Sequence, residues 1–247
     1  MRRLPIYFLV DTSESMLGEP IESVMNGLRG LVAILRKDPQ ALETAYLSVI
    51  TFGGIARQLV PLTELSVFEL PPVQAGGSRM LGAAIELLCE RRCHEVVQPS
   101  ADFKGDWLPM VFILTDGMPD DDISSGLSLF RSLDWGVSVS CAAGPGADKA
   151  LLDKITPECV VELASADQST LSAFFKWVTA RLVPDNTMMG AASQNPAEAT
   201  FARVWDGRYF KCSKCGEIFS YTLGICPFCG VPCREVAIND SPQTHSS

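Results

Sequence analysis

Two hydrophobic patterns alternate along the chain as far as residue 183. Short, almost wholly apolar runs recur at residues 6–10, 45–52, 107–114, 137–142 and 159–163. A strand covered by helices on both faces buries every side chain, so its sequence loses the in-out alternation of a half-exposed strand. Between these runs lie segments whose apolar residues follow the three-four spacing of an amphipathic helix. The first carries Ile21, Val24, Met25, Leu28, Leu31, Val32 and Leu35, and Lys37-Asp38-Pro39 is expected to end it. Further stripes comprise Leu81, Ala84, Ile85, Leu88 and Cys89, then Ile123, Leu127, Phe130 and Leu133, then Leu171, Phe174, Phe175, Val178 and Leu182, with a shorter helix at 148–155. Gly53-Gly54 predicts a tight turn into a short antiparallel strand at 55–60, whose Arg57 suits a sheet edge. Residues 93–106 read as a loop, and Pro109 falls near the beginning of the run 107–114, where a missing donor matters least.

This order predicts an α/β fold, a doubly wound, mostly parallel six-stranded sheet with helices on both faces and right-handed crossovers. In such folds ligands sit beyond the carboxyl ends of the strands, where the strand order reverses. The α/β domain is expected over 1–183. A polar linker rich in Asn, Gln, Ser and Pro follows at 184–200, then a small module at 201–237 and a disordered tail at 238–247.

Composition narrows the function. At 47% hydrophobic residues, 247 positions suffice for one sizeable core and an appendage. The net charge of -9 resides in the body, where the first 200 residues hold 15 Lys and Arg against 25 Asp and Glu; the last 47 hold five and four. An acidic body repels nucleic acid and favours cations. No apolar stretch approaches the roughly 20 residues of a membrane helix. The apolar run at 4–10 meets Asp11 at once, without a small-residue cleavage site, so it reads as a buried strand of a cytoplasmic protein.

The nine cysteines fall into two groups. Cys89, Cys93, Cys141 and Cys159 are scattered among apolar segments and read as buried packing residues. Cys212, Cys215, Cys226, Cys229 and Cys233 crowd into 22 residues. Each CxxC pair, Cys212/Cys215 and Cys226/Cys229, is followed by a glycine, so each can fold as a knuckle aiming two thiolates at one ion. Four thiolates in tetrahedral array select Zn2+, with iron as the alternative. A module this small buries too little to fold unaided. Zinc supplies about 10–16 kcal/mol in comparable fingers, and with all four positions filled its role is structural. Cys233 is read as a non-ligand; replacement of Cys229, or membership of a second half-site, are the alternatives.

A different chemistry gathers at the strand ends. Asp11, Ser13 and Ser15 form a DxSxS pattern directly after the first apolar run, Ser78 follows Gly76-Gly77, and Asp116 stands in Thr115-Asp116-Gly117 after the run 107–114. Hydroxyls with one or two carboxylates suit Mg2+, which keeps waters and requires near-octahedral oxygen geometry; Mn2+ and Ca2+ fit the same donors. DxSxS alone also fits an ordinary helix-capping turn. Its company with Gly-Gly-Ser and Thr-Asp-Gly, each at a strand end or helix start, favours the metal.

Residues 8–16, FLVDTSESM, and 111–117, VFILTDG, resemble a von Willebrand factor A (VWA) domain, with the similarity extending over about residues 3–183. The resemblance implies a strand order of 3-2-1-4-5-6 and a metal-ion-dependent adhesion site (MIDAS) at Asp11, Ser13, Ser15, Ser78 and Asp116. The family usually has threonine where this chain has Ser78, and the hydroxyl is kept. A VWA domain followed by a zinc-ribbon-like module is similar to the TerY-like proteins of bacterial tellurium resistance. That resemblance implies a phosphorylation-linked stress system, with a protein kinase or PP2C-like phosphatase as the partner setting.

The function expected is therefore non-enzymatic: metal-bridged capture of an acidic side chain on a protein partner, with Thr12, Glu14, Met16 and Gly117-Met118-Pro119-Asp120 lining the rim. A nucleic-acid-binding adaptor acting through Arg203, Arg208, Lys211, Lys214 and Arg234, with Phe210, Phe219 and Tyr221 stacking, is one alternative; the module's near-neutral charge argues against it. A Mg2+-dependent phosphoryl-transfer enzyme built on Asp11 and Asp116 is the other. It lacks an evident nucleophile. His94 and His245 are the chain's two histidines and make no convincing triad, and no GxxxxGK[ST] pattern occurs.

Overall fold

The computed structural model describes residues 2–157 except 101 and 103, residues 159–163, 165, 166, 171 and 175, and two short strands at 209–211 and 218–220. A six-stranded sheet is built from β1 (Leu4–Asp11), β2 (Ala45–Gly53), β3 (Ile55–Glu64), β4 (Met110–Thr115), β5 (Val137–Ala143) and β6 (Val160–Leu163). Its order is β3-β2-β1-β4-β5-β6, with β3 antiparallel at the edge and every other pairing parallel. The helices are α1 (Glu19–Leu35), α2 (Pro39–Thr44), α3 (Leu81–Glu95), α4 (Ser124–Arg131) and α5 (Lys149–Ile155). The expected architecture and strand order are those observed.

Residues Ile6 to Val10 of β1 are all 1% exposed or less, which fixes this strand as central with both faces covered. The alternation of side chains splits the interior in two. Ile6, Phe8 and Val10 join the cluster containing the α1 stripe from Ile21 to Leu35, whereas Tyr7 and Leu9 join the cluster containing Leu81, Ile85 and Leu88 of α3. Each such apolar side chain contributes about 1.5–3 kcal/mol on full burial, so β1, like β2 and β4 beside it, ties the two helical layers together. Leu171 and Phe175 are buried in the α1 layer; Phe174, Val178 and Leu182 of the expected closing helix lie outside the described residues.

Several boundaries differ from the sequence reading. Asp38-Pro39 does more than end α1: the Asp38 carboxylate accepts from the Ala41 N–H and Pro39 takes the first position of α2. The edge strand β3 runs on to Glu64. Helix α3 continues to Glu95, so His94 is helical and the expected loop is shorter. Trp107 and Pro109 precede β4; the Trp107 N–H bonds to Arg3 and its ring lies under Arg2, which accounts for an apolar residue outside the sheet ladder. Of the scattered cysteines, Cys89, Cys141 and Cys159 are buried, but Cys93 is exposed. Burial pushes the Cys89 thiol up to about 12, so it is a packing group.

No helix among the described residues is long and apolar enough to cross a membrane. In the C-terminal region β7 (Tyr209–Lys211) pairs antiparallel with β8 (Ile218–Ser220). Cys212, Cys215, Cys226, Cys229 and Cys233, the linker at 184–200, His245 and the tail lie outside the described residues.

Candidate metal centre

Strand β1 connects on one side, through α1 and α2, to β2, and is flanked on the other by β4. The chain thus diverges at the carboxyl ends of β1 and β4, and a crevice opens there. Asp11 ends β1 and Asp116 follows β4 directly.

Three loops are laced together at this end by backbone hydrogen bonds. The Gly76 N–H donates to the Thr12 carbonyl (2.7 Å), Glu14 N–H to the Gly77 carbonyl (3.0 Å) and Gly54 N–H to the Ser78 carbonyl (2.8 Å). So close an approach excludes side chains. A Cβ on Gly53 would lie 2.0 Å from the Thr12 carbonyl oxygen, and one on Gly77, at φ +77°, would lie 2.7 Å from the Gly54 Cα. The two Gly-Gly pairs, separated by more than twenty residues of sequence, form one junction.

On that base the polar side chains converge. Asp11 is fully buried; its Oδ1 accepts from the Ser13 N–H (2.9 Å) and its Oδ2 from the Thr115 hydroxyl (2.6 Å). The Ser13 and Ser15 hydroxyl oxygens lie 3.2 Å apart, and the Ser15 hydroxyl donates to Asp116 Oδ1 at 2.8 Å. Asp11, Ser13, Ser15 and Asp116 are therefore one cluster. Ser78 is exposed, and lines with Ser13, Glu14, Ser15 and Asp120 an open cavity of about 340 Å³. Thr12 and Met16, expected on the rim, are buried at 3% and 1% exposure. Gly117 is buried too, leaving Glu14, Met118 and Asp120 as the exposed rim residues and Pro119 half-buried.

The residue missed by sequence reasoning is Arg79. Its Nε donates to Asp11 Oδ2 (2.6 Å), its Nη2 to Ser15 Oγ (2.6 Å) and Asp116 Oδ1 (2.5 Å), and its Nη1 to the Met118 carbonyl (2.7 Å). The guanidinium bridges both carboxylates. Burial lowers its pKa, but Asp11 and Asp116 outweigh that effect and hold it above the ordinary arginine value. The signal available was adjacency: an arginine directly after Gly-Gly-Ser, in a loop that must face two aspartates.

Asp120 holds the Arg79 backbone from both sides, accepting its N–H on Oδ2 (2.6 Å) and donating its own N–H to the Arg79 carbonyl (2.9 Å). Asp121 accepts from the N–H groups of Gly82 (3.0 Å) and Ala83 (2.8 Å) in the first turn of α3. Asp122 accepts from Ser124 at the start of α4. The acidic run is spent on anchoring rather than on presenting free charge.

The donors suit a hard cation. Oxygens coordinated cis around Mg2+ are about 3 Å apart, given metal–oxygen bonds of about 2.1 Å; the spacings of Ser13 to Ser15 and of Ser15 to Asp116 bracket that value. No group of three or more His, Cys, Asp or Glu side chains gathers among the described residues, so an ion here would depend on the serine hydroxyls. The cluster also borders an open cavity of about 700 Å³, lined by Arg79, Asp116, Met118, Gly144, Pro145 and Ser165.

The structure is similar to several solved ones. The von Willebrand factor type A protein from Catenulispora acidiphila has a TM-score of 0.56 at 18% identity, covering 73% of this chain and 43% of that one. Proximal thread matrix protein 1 from the mussel byssus, in a form with a zinc-occupied MIDAS motif, has a TM-score of 0.50 at 21% identity, covering 72% and 45%. The manganese-loaded TRAP protein of Plasmodium vivax has a TM-score of 0.51 at 20% identity, covering 72% and 74%. The chain matches less than half the length of the mussel protein. No curated protein sequence matches it. The family model of the von Willebrand factor type A domain matches residues 6–176. With the strand order, the site at the switch point and this match over most of its length, the chain belongs to the von Willebrand factor type A domain family.

Proposed function

We propose that this chain is a non-enzymatic binding protein whose centre at Asp11, Ser13, Ser15, Ser78 and Asp116 holds Mg2+ and, through it, takes an acidic side chain of a protein partner. One observation carries the reading: Asp11, Ser15 and Asp116, from two strand ends, all meet one positive group. The mussel protein with its zinc-occupied MIDAS motif supports a divalent ion at such a site, and the Plasmodium vivax protein is a similar fold that is manganese-loaded; Mn2+ and Ca2+ are the other candidates. When bound, the ion supplies an electrophilic position for a carboxylate. The protein's own residues do the rest. Thr115 and the Ser13 N–H orient Asp11, and Met118, 59% exposed at the rim, offers an apolar contact beside the acid.

The finer reading extends this. Zn2+ held by Cys212, Cys215, Cys226 and Cys229 orders the C-terminal module, which docks a second partner or positions the first. The setting is cytoplasmic, in a TerY-like system with a protein kinase or PP2C-like phosphatase. The test is a pull-down with immobilised full-length protein. Partners retained in Mg2+ should be lost in EDTA, return when Mg2+ is restored, and be absent from Asp11→Ala. The same proteins retained under all these conditions refute the proposal.

A further inference from the structure

We propose that Arg79 is a resident cation of this site, occupying the seat of the divalent ion, so that metal uptake requires its guanidinium to leave. The inference rests on the metal reading above and adds a competitor that lowers the site's affinity. Three of the five residues that would hold the ion, both carboxylates among them, are already engaged: Asp11 Oδ2, Ser15 Oγ and Asp116 Oδ1 all accept from the guanidinium within 2.6 Å. A lone pair directed at an N–H at that distance cannot also be directed at an ion between the same oxygens.

The seat is shaped for the guanidinium. Gly117 passes so close that a Cβ there would lie 2.4 Å from Arg79 Nη1, and the Met118 carbonyl takes a hydrogen bond from the same nitrogen. The planar fork meets four acceptors at once, two carboxylates, a hydroxyl and a carbonyl, whereas a lysine ammonium has only three donors on a single atom. The arginine side chain is only 12% exposed.

The seat is also one that can be vacated. Asp120 grips the Arg79 backbone, so the side chain can rotate without moving the loop. Arg79 forms part of the wall of the cavity it shares with Ser78 and exposed Glu14, where a displaced guanidinium meets a new carboxylate. The charge balance gives the direction. Two carboxylates against one guanidinium leave a net charge of -1, whereas a divalent ion neutralises both. The expelled arginine then stands at the rim as a second positive group for an acidic partner.

The experiment is a Mn2+ titration of chelator-treated, zinc-restored full-length protein, read by the electron paramagnetic resonance of free Mn2+. Wild type is compared with Arg79→Gln, Arg79→Lys, and each of these combined with Asp11→Asn. Arg79→Gln should bind Mn2+ at least tenfold more tightly than wild type, with the gain abolished by Asp11→Asn, and Arg79→Lys should fall between. Equal affinities for wild type and Arg79→Gln, both lost with Asp11→Asn, leave the metal reading standing and overturn the competition. Wild-type affinity in Arg79→Lys beside tighter binding in Arg79→Gln reduces the effect to charge alone and also overturns the shared seat. Mn2+ binding that ignores Asp11 in every background overturns the metal reading and this inference with it. A thermal melt guards against misfolding: Arg79→Gln should melt lower than wild type without metal and regain the difference with Mn2+. A folded variant that shows no such recovery counts against the proposal.

Discussion

At the scale of single residues, the site depends on how Asp11 is held. Its carboxylate is buried, and a buried charge persists only with partners. Thr115 provides one of them through a 2.6 Å hydrogen bond to Oδ2. Thr115→Val keeps the shape and removes the donor. The expected cost is about 1.5–3 kcal/mol, typical of a hydrogen bond to a charged group, read as a lower urea midpoint with an unchanged slope. A change below about 0.5 kcal/mol would mean that Arg79 and the Ser13 N–H suffice to hold the carboxylate. The pattern of residue types made Asp11, Ser13, Ser15 and Asp116 legible, because oxygens at strand ends have few other reasons to recur in that order. Arg79 was not legible by the same search, since a search for oxygen donors passes over a cation and a lone arginine reads as solvated surface. Thr12 and Met16 were misplaced for geometric reasons: Thr12 is covered by the glycine junction, where Gly53 and Gly76 close on it, and Met16 by the turn that carries it. The segment Glu14–Met16 is a single 3-10 turn, and three-residue periodicity brings Met16 round to the buried side with Ser13.

Among the elements, α3 is the one that couples stability to the site, because Ser78 and Arg79 lie just before its first turn. Its N-cap position, Met80, makes no side-chain cap. The orphan N–H groups of Gly82 and Ala83 are met instead by Asp121, from the loop after β4. Asp121→Ala should therefore cost about 1–2 kcal/mol and raise hydrogen exchange at Gly82 and Ala83. Asp121→Asn, which keeps an acceptor oxygen, should cost about half as much. Exchange unchanged in Asp121→Ala would show that water caps the helix equally well. The apolar stripe predicted α3 correctly because Leu81, Ala84, Ile85 and Leu88 are all buried against the sheet. The cap was invisible because it comes from forty residues further along the chain. The same limit explains Trp107 and Pro109: hydrophobicity marked them as strand, but ladder pairing begins at Met110.

For the whole molecule, the question is whether the two metal chemistries depend on each other. Among the described residues, both apolar clusters are made from segments no later than Phe175. The α/β domain, whose sequence alone carries both apolar layers and the strand-end oxygens, is expected to fold without the cysteine region. The proposed module at 201–237 has a sequence too short to build a core of its own and four thiols at the spacing zinc selects. Cys212→Ser, or Cys226→Ser, would remove one of the four proposed ligands and should forfeit most of the roughly 10–16 kcal/mol that zinc contributes to such folds. Zinc should then be lost on dialysis, and protease should cleave within 201–237, while the melting transition of the α/β domain stays within about 2 °C of wild type, the shift of a small perturbation. Zinc retained with undiminished protease resistance would mean that Cys233 takes the vacant position or that the ion is not what folds the module. A lowered α/β transition would mean instead that the module stabilises the domain directly, and the expected independence would be wrong.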